Sequence, residues 1–139
     1  MDGRRSENAG SDAGFDIYAY DLASGRESRL SSGDVHAGSP DISGHTVVWE
    51  ASRPDDWLSE QAGDIFAYDL VKNKQSAICS ESEAQGMPAV SGDIIVWQDH
   101  RNGNWDIYGY DLASKREFPI CVAPGDQRRP DISDRTVVW

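Results

Sequence analysis

Asp16-Ile17-Tyr18-Ala19-Tyr20-Asp21-Leu22 returns as Asp64-Ile65-Phe66-Ala67-Tyr68-Asp69-Leu70, and again as Asp106-Ile107-Tyr108-Gly109-Tyr110-Asp111-Leu112. Aromatic and β-branched residues dominate each copy, and the side chains alternate with period two. Ile17, Ala19 and Asp21 share one face while Tyr18, Tyr20 and Leu22 share the other, which predicts a strand. Each copy is followed by a polar turn and a second short strand ending near Leu30, Ile78 or Ile120. A second block repeats in step with the first. Pro40-Asp41-Ile42-Ser43 leading to Val47-Val48-Trp49 returns as Pro88-Ala89-Val90-Ser91 with Ile95-Val96-Trp97, and as Pro130-Asp131-Ile132-Ser133 with Val137-Val138-Trp139. Tight turns at Gly44-His45, Gly92-Asp93 and Asp134-Arg135 join its two strands.

Spacing turns these words into an architecture. The distance from motif Asp to Trp is 33 residues in every copy, whereas the Trp-to-Asp connection is 15 residues after Trp49 and 9 after Trp97. A packed unit with one free surface loop has this signature. Four short strands per unit, no helical period and a unit length of 42 to 48 residues predict an all-β fold, a β-propeller of four-stranded antiparallel blades. The chain opens with the outer strands of a blade (16–31), continues through blades 40–79 and 88–121, and finishes with inner strands (130–139). That order amounts to three blades per chain, with the end blades split.

Propellers need about 4 to 8 blades, and an open arc exposes strand edges that template further pairing. Two chains are therefore expected to close one six-bladed ring as a homodimer about a two-fold axis. At each seam, strand exchange would bring Asp16, Ile17, Tyr18 and Tyr20 against Pro130, Ile132, Val137, Val138 and Trp139 of the other copy. A piece of a longer propeller, with a purely structural role, is the competing expectation.

The composition is that of a soluble globular protein, with 38% hydrophobic and 27% charged residues and a net charge of −11. Such acidity repels phosphate backbones and anionic lipid, which disfavours nucleic acid and membrane surfaces as partners. No apolar run reaches the roughly 18 residues a bilayer crossing needs. Residues 1–15 are polar and Gly-rich, unlike a signal peptide.

The residues Arg129-Pro130-Asp131-Ile132-Ser133 through Trp139, with Asp99-His100-Arg101-Asn102-Gly103-Asn104-Trp105-Asp106-Ile107-Tyr108, resemble the TolB-type propeller repeat. Its blade has a proline-led inner strand, a hydrophobic second strand, a D-x-R-x-G-x-W loop and an (E/D)-I-Y third strand. Ile120-Cys121 and Gly125-Asp126-Gln127 resemble the variant found in archaeal cell-surface propellers. The resemblance spans residues 16–139 and implies a six-bladed ring and an extracellular or cell-surface location. It also implies functions that vary from member to member, from partner binding to carbohydrate cleavage. The D-x-R-x-G loop is intact only at residues 99–103; after Trp49 it becomes Glu50-Ala51-Ser52-Arg53 and a longer excursion.

Chemistry-bearing residues are sparse. Cys79 and Cys121 occupy one phase of successive repeats, where the first copy has Ser31. Equivalent points on neighbouring blades lie beyond disulfide reach, so both are expected as free thiols. The recurring Asp pairs could supply oxygen ligands to calcium together with Asn102 and Asn104, but recurrence in every blade favours Asp side chains capping turn amides. His36, His45 and His100 fall at different phases and form no ligand set; no nucleophile elbow or phosphate loop is present. The chain is therefore expected to be a non-enzymatic scaffold without cofactor, metal or catalytic residues, binding a protein or glycan. The candidate binding loops contribute Arg53, Trp57, Asp99, His100, Arg101, Asn102, Asn104 and Trp105. Trp49, Trp97 and Trp139 are expected to pack between blades and Trp105 beneath its loop. Trp57 and Leu58, in the insertion after Trp49, read equally as a contact site or as a loop folded back on its blade.

Overall fold

The computed structural model describes residues 15–32, 36–52 and 63–139. They form twelve strands: β1 Tyr18–Asp21, β2 Arg26–Arg29, β3 His36–Ser43, β4 Thr46–Ser52, β5 Asp64–Asp69, β6 Lys74–Cys79, β7 Gln85–Ser91, β8 Ile94–Asp99, β9 Asp106–Asp111, β10 Arg116–Cys121, β11 Asp131–Ser133 and β12 Thr136–Val138. No helix occurs among the described residues. Two complete four-stranded antiparallel sheets, β3-β4-β5-β6 and β7-β8-β9-β10, stand between two-stranded sheets β1-β2 and β11-β12. These are blades with half-blades on either side.

Each sheet is double-sided, because the hydrophobic period of two sends successive residues into different cores. On β4, Val47, Trp49 and Ala51 pack with Ile17 and Leu30 of the preceding half-blade. Val48, between them, faces forward and packs with Val90, Ile95 and Trp97 of the next blade. On β8 the same alternation sends Val96 forward to Ile132. Each core is therefore an interface between consecutive sheets. Backbone bonds stitch the same junctions. Ala37 N–H donates to Phe15 O (2.8 Å), Gln85 N–H to Gly63 O (2.9 Å) and Gln127 N–H to Trp105 O (2.7 Å), three equivalent bonds at three successive junctions.

The repeat extends to backbone strain. Nine of the residues with positive φ fall at three phases of the unit: Gly25, Asn73 and Lys115; Gly44, Gly92 and Asp134; Ser39, Met87 and Arg129. The left-handed region costs a residue with a Cβ about 1–2 kcal/mol. Its retention at Met87, Lys115 and Arg129 shows that the blade geometry, not the local residue, imposes it. Ser39, Met87 and Arg129 each precede the repeat's proline, and β-bulges interrupt the pairing there between Gly38 and Asp41 and between Gly86 and Ala89.

Trp49 and Trp97 are buried, as expected for residues packed between blades, but Trp139 is not. The neighbours that flank Trp49 on its own sheet, Phe66 and Tyr68, belong to the third strand, and the β11-β12 sheet has only two.

Candidate functional site

The loop joining β8 to β9 (residues 100–105) brings six of the candidate binding residues together. Asp99 is completely buried. Its carboxylate accepts hydrogen bonds from Trp97 Nε1 (3.0 Å), from Arg101 N–H (2.9 Å) and from the Arg101 guanidinium at Nε (3.0 Å) and Nη2 (2.7 Å). Arg101 also pairs with Glu117 and Glu81 and lies over the Tyr108 ring at 4.0 Å. Burial works against its charge, yet the hydrogen bonds it donates to Asp99 and Glu117 outweigh that, and its pKa stands above the ordinary arginine value.

Cys79 comes from the preceding blade and places its sulfur 3.4 Å from Arg101 Nη2 and 3.9 Å from Asp99 Oδ2. Burial, then the Asp99 and Glu117 charges, push its thiol up to about 12, so it is a packed thiol rather than a nucleophile. Both cysteines are free. The arginine of the motif therefore ties two blades together at their loop ends.

The rest of the loop is internally bonded as well. Asn102 donates to Asp106 (2.8 Å) and to Tyr108 OH (2.9 Å), and Asn104 reaches the carbonyls of Ala123 and Gly125. Trp105 is buried under an edge-on His100 ring at 5.0 Å, with the Arg128 guanidinium over its face at 5.4 Å. Its N–H donates to Asp126, a bond that lowers the Asp126 pKa along with the adjacent Arg128. The second Asp of each repeat caps its turn: Asp21 accepts from Ala23 N–H (2.8 Å), Asp69 from Val71 N–H (2.9 Å) and Asp111 from Ala113 N–H (2.9 Å). Among the described residues no three acidic, histidine or cysteine side chains converge as a metal site would require. Arg53 and Trp57 lie outside the described residues.

Two concave features remain. Along the inner strands of the sheets, the residues before the proline of three repeats, Ser39, Met87 and Arg129, line a cleft of about 390 Å³. Ser39 Oγ donates to Glu50, and Gln98, the residue equivalent to Glu50, accepts from Arg129 N–H at 2.9 Å. A Cβ at Gly86 would meet the Glu50 carboxylate at 2.7 Å, so glycine is what lets that carboxylate approach. The shared place before each repeat's proline is the sequence signal for this grouping, and β3, β7 and β11 standing side by side bring its members together. The second feature is larger, a cleft of about 910 Å³ between β1 and β3 whose walls include Ile17, Tyr18, Tyr20, Ile42 and Val47. Ile17, Tyr18 and Tyr20 line this cleft, while Asp16, next in the chain, accepts from Arg29 and Ser31. Pro130, Ile132, Val137, Val138 and Trp139 belong to the separate β11-β12 segment, and the two groups do not pair within the chain.

Blades built this way occur in solved structures. TolB from Acinetobacter baumannii superposes with a TM-score of 0.63 at 18% identity, over 84% of this chain and 29% of that one. The fold is a TolB-type β-propeller. The putative TolB from Agrobacterium tumefaciens gives a TM-score of 0.56 at 20% identity, over 76% of this chain and 40% of that one. An acylaminoacyl peptidase in complex with a chloromethyl ketone gives 0.54 at 14% identity, over 70% of this chain and 16% of that one. The chain thus spans between 29% and 40% of the length of the two TolB structures. No protein-family model and no curated protein matches the sequence. These structures carry different names on a shared fold, so the fold alone does not select a ligand.

Proposed function

We propose that this chain is a non-enzymatic propeller scaffold that binds a protein or glycan partner at its rim, after two copies close a six-bladed ring. The observation that carries this reading is the open cleft beside β1, whose walls include Ile42, exposed where its equivalents Val90 and Ile132 are buried. A sheet edge of this sort calls for another strand, and the chain's own β11-β12 hairpin is the repeat's equivalent of β3-β4 and β7-β8, which cover the third strand in each complete blade. The polar residues of the 99–106 loop are spent on holding blades in place. That supports a binding rather than a catalytic role and leaves His100 and the pre-proline residues Ser39, Met87 and Arg129 to meet a partner. A cell-surface or otherwise extracytoplasmic setting, the homodimer and the partner class are all part of this proposal.

Multi-angle light scattering tests the ring, with an expected mass twice that of one chain. A well-folded monomer overturns it. A glycan array and pull-down with surface proteins test the partner class, and turnover of a polysaccharide in a lyase assay would overturn the non-enzymatic reading. The short span against the TolB structures favours one second reading, a segment of a longer propeller. It predicts a chain that aggregates rather than forming a defined dimer.

A further inference from the structure

The repeat supplies, inside this one chain, two worked examples of what covers the open seam. Where the two blades meet, forward-facing Val48 packs with Val90; at the next junction, forward-facing Val96 packs with Ile132. The third pair in this series is Val138 and Ile42, and each is 58% exposed, whereas Val48 and Val96 are completely buried. They hold the positions that the packed pairs hold at the other two junctions. Trp139 repeats the pattern at 56% exposure, against 1% for Trp49 and 0% for Trp97. The third-strand aromatic that pairs with Trp49 is Phe66 and with Trp97 is Tyr108; for Trp139 it is Tyr18, again at the far end.

From these equivalences we infer that a second copy seats its β11-β12 hairpin in the 910 Å³ cleft in a single register, with Val138 opposite Ala19 and Trp139 opposite Tyr18. The inference rests on the proposed self-association and specifies its geometry. Antiparallel pairing of β4 with β5 and of β8 with β9 follows the same register, Val48 opposite Ala67 and Val96 opposite Gly109. Slippage by one residue would turn Val138 away from Ile42 and expose it again.

Bonds across the junction complete the seam. Ser43 Oγ accepts from Gly92 N–H (2.9 Å), and Ser91 Oγ accepts from Asp134 N–H (2.8 Å). The next member of that series is Ser133 accepting from Gly44 N–H of the second copy. Likewise Asp41 accepts from Val90 N–H at 2.9 Å, so Asp131 would take up Ile42 N–H. At the outer turn, Leu70 N–H donates to His45 O (2.8 Å) and Leu112 N–H to Asp93 O (2.9 Å). Leu22 N–H would donate to Arg135 O by the same rule. A two-fold ring repeats this seam twice, so every copy both gives and receives one hairpin.

Cysteine cross-linking reads the register directly. Both hydrogen-bonded and non-hydrogen-bonded antiparallel pairs hold Cα atoms about 4.5–5.5 Å apart, within disulfide range. In a Cys121→Ser background, which follows the Ser31 precedent, Ala19→Cys and Val138→Cys chains are prepared separately, mixed, and oxidised mildly. The expected result is a covalent dimer formed at least ten-fold faster in the mixture than in either variant alone, because two Ala19 residues lie on opposite sides of the ring. The neighbouring pair Tyr20→Cys with Val137→Cys is the second test should the first pair fold poorly, and it is expected to cross-link too. A dimer by light scattering that cross-links only through the slipped pair Ala19→Cys with Val137→Cys, or through neither in-register pair, overturns the register while self-association stands. A monomer under the same conditions overturns self-association, and the register with it.

Discussion

Asp99→Ala is the sharpest test of how the blades are fastened. The substitution removes the acceptor of Trp97 Nε1 and of three Arg101 donors at once, at a site with no exposure. Removing one partner of a buried ion pair costs about 3–5 kcal/mol, because the other charge stays behind. Here Arg101 is 20% exposed and keeps Glu117 and Glu81, which points to the lower end, about 3 kcal/mol. The equivalent residue in the other complete blade is Ala51, so the backbone accepts alanine and the cost is electrostatic rather than steric. Against a total of about 5–15 kcal/mol for a folded domain, this is a large fraction. Urea unfolding followed by tryptophan fluorescence, at fixed protein concentration, is expected to show a lower midpoint with an unchanged slope. The double variant Asp99→Ala/Arg101→Ala should lose less than the sum of the single variants, by about 1–3 kcal/mol of coupling. A loss under about 1 kcal/mol for Asp99→Ala, or strict additivity in the cycle, would refute the view that Asp99 holds Arg101 in place against the preceding blade.

Trp97→Ala is expected to cost about 3–5 kcal/mol, whereas Trp139→Ala should leave the far-ultraviolet spectrum unchanged and abolish the dimer in light scattering. Ile42→Asp should do the same by placing a carboxylate in the seam. Lys115→Gly, which relieves a φ of +56° in an exposed turn, is expected to raise stability by up to about 1 kcal/mol in urea unfolding. Turn-amide hydrogen bonds hold the Asp21 and Asp69 carboxyls below their ordinary value of 3.8. Their contribution is therefore present above that value and lost as pH falls through the lower folded-state values. An Asp21→Asn/Asp69→Asn variant should show a flatter acid limb in a pH series of melting temperatures. Cys79, with its thiol pushed up to about 12, should resist alkylation at pH 8 while half-buried Cys121 reacts, as counted by mass spectrometry.

Strand type, strand order and the phase of every unit were legible in the sequence because each rests on local physics. Period-two alternation makes the strand, the 33-residue Asp-to-Trp spacing sets the unit, and a carboxylate two residues before a turn amide caps it wherever it occurs. Even the three left-handed positions recur at set intervals, although only Gly25, Gly44, Gly92 and Asn73 announce them by residue type. Free cysteines were foreseeable from phase alone. The tertiary structure decided everything that depends on which repeats become neighbours. It made Arg101, a candidate binding residue held by Asp99, an inter-blade tie as well, since Cys79 and Glu81 meet it only when consecutive sheets stack. It gathered Ser39, Met87 and Arg129 into one cleft, and it showed that Trp139, alike in sequence to Trp49 and Trp97, lacks the third strand that would bury it. Burial is a property of what stands opposite a side chain, and in a repeat protein identical words acquire different environments wherever a neighbour is missing.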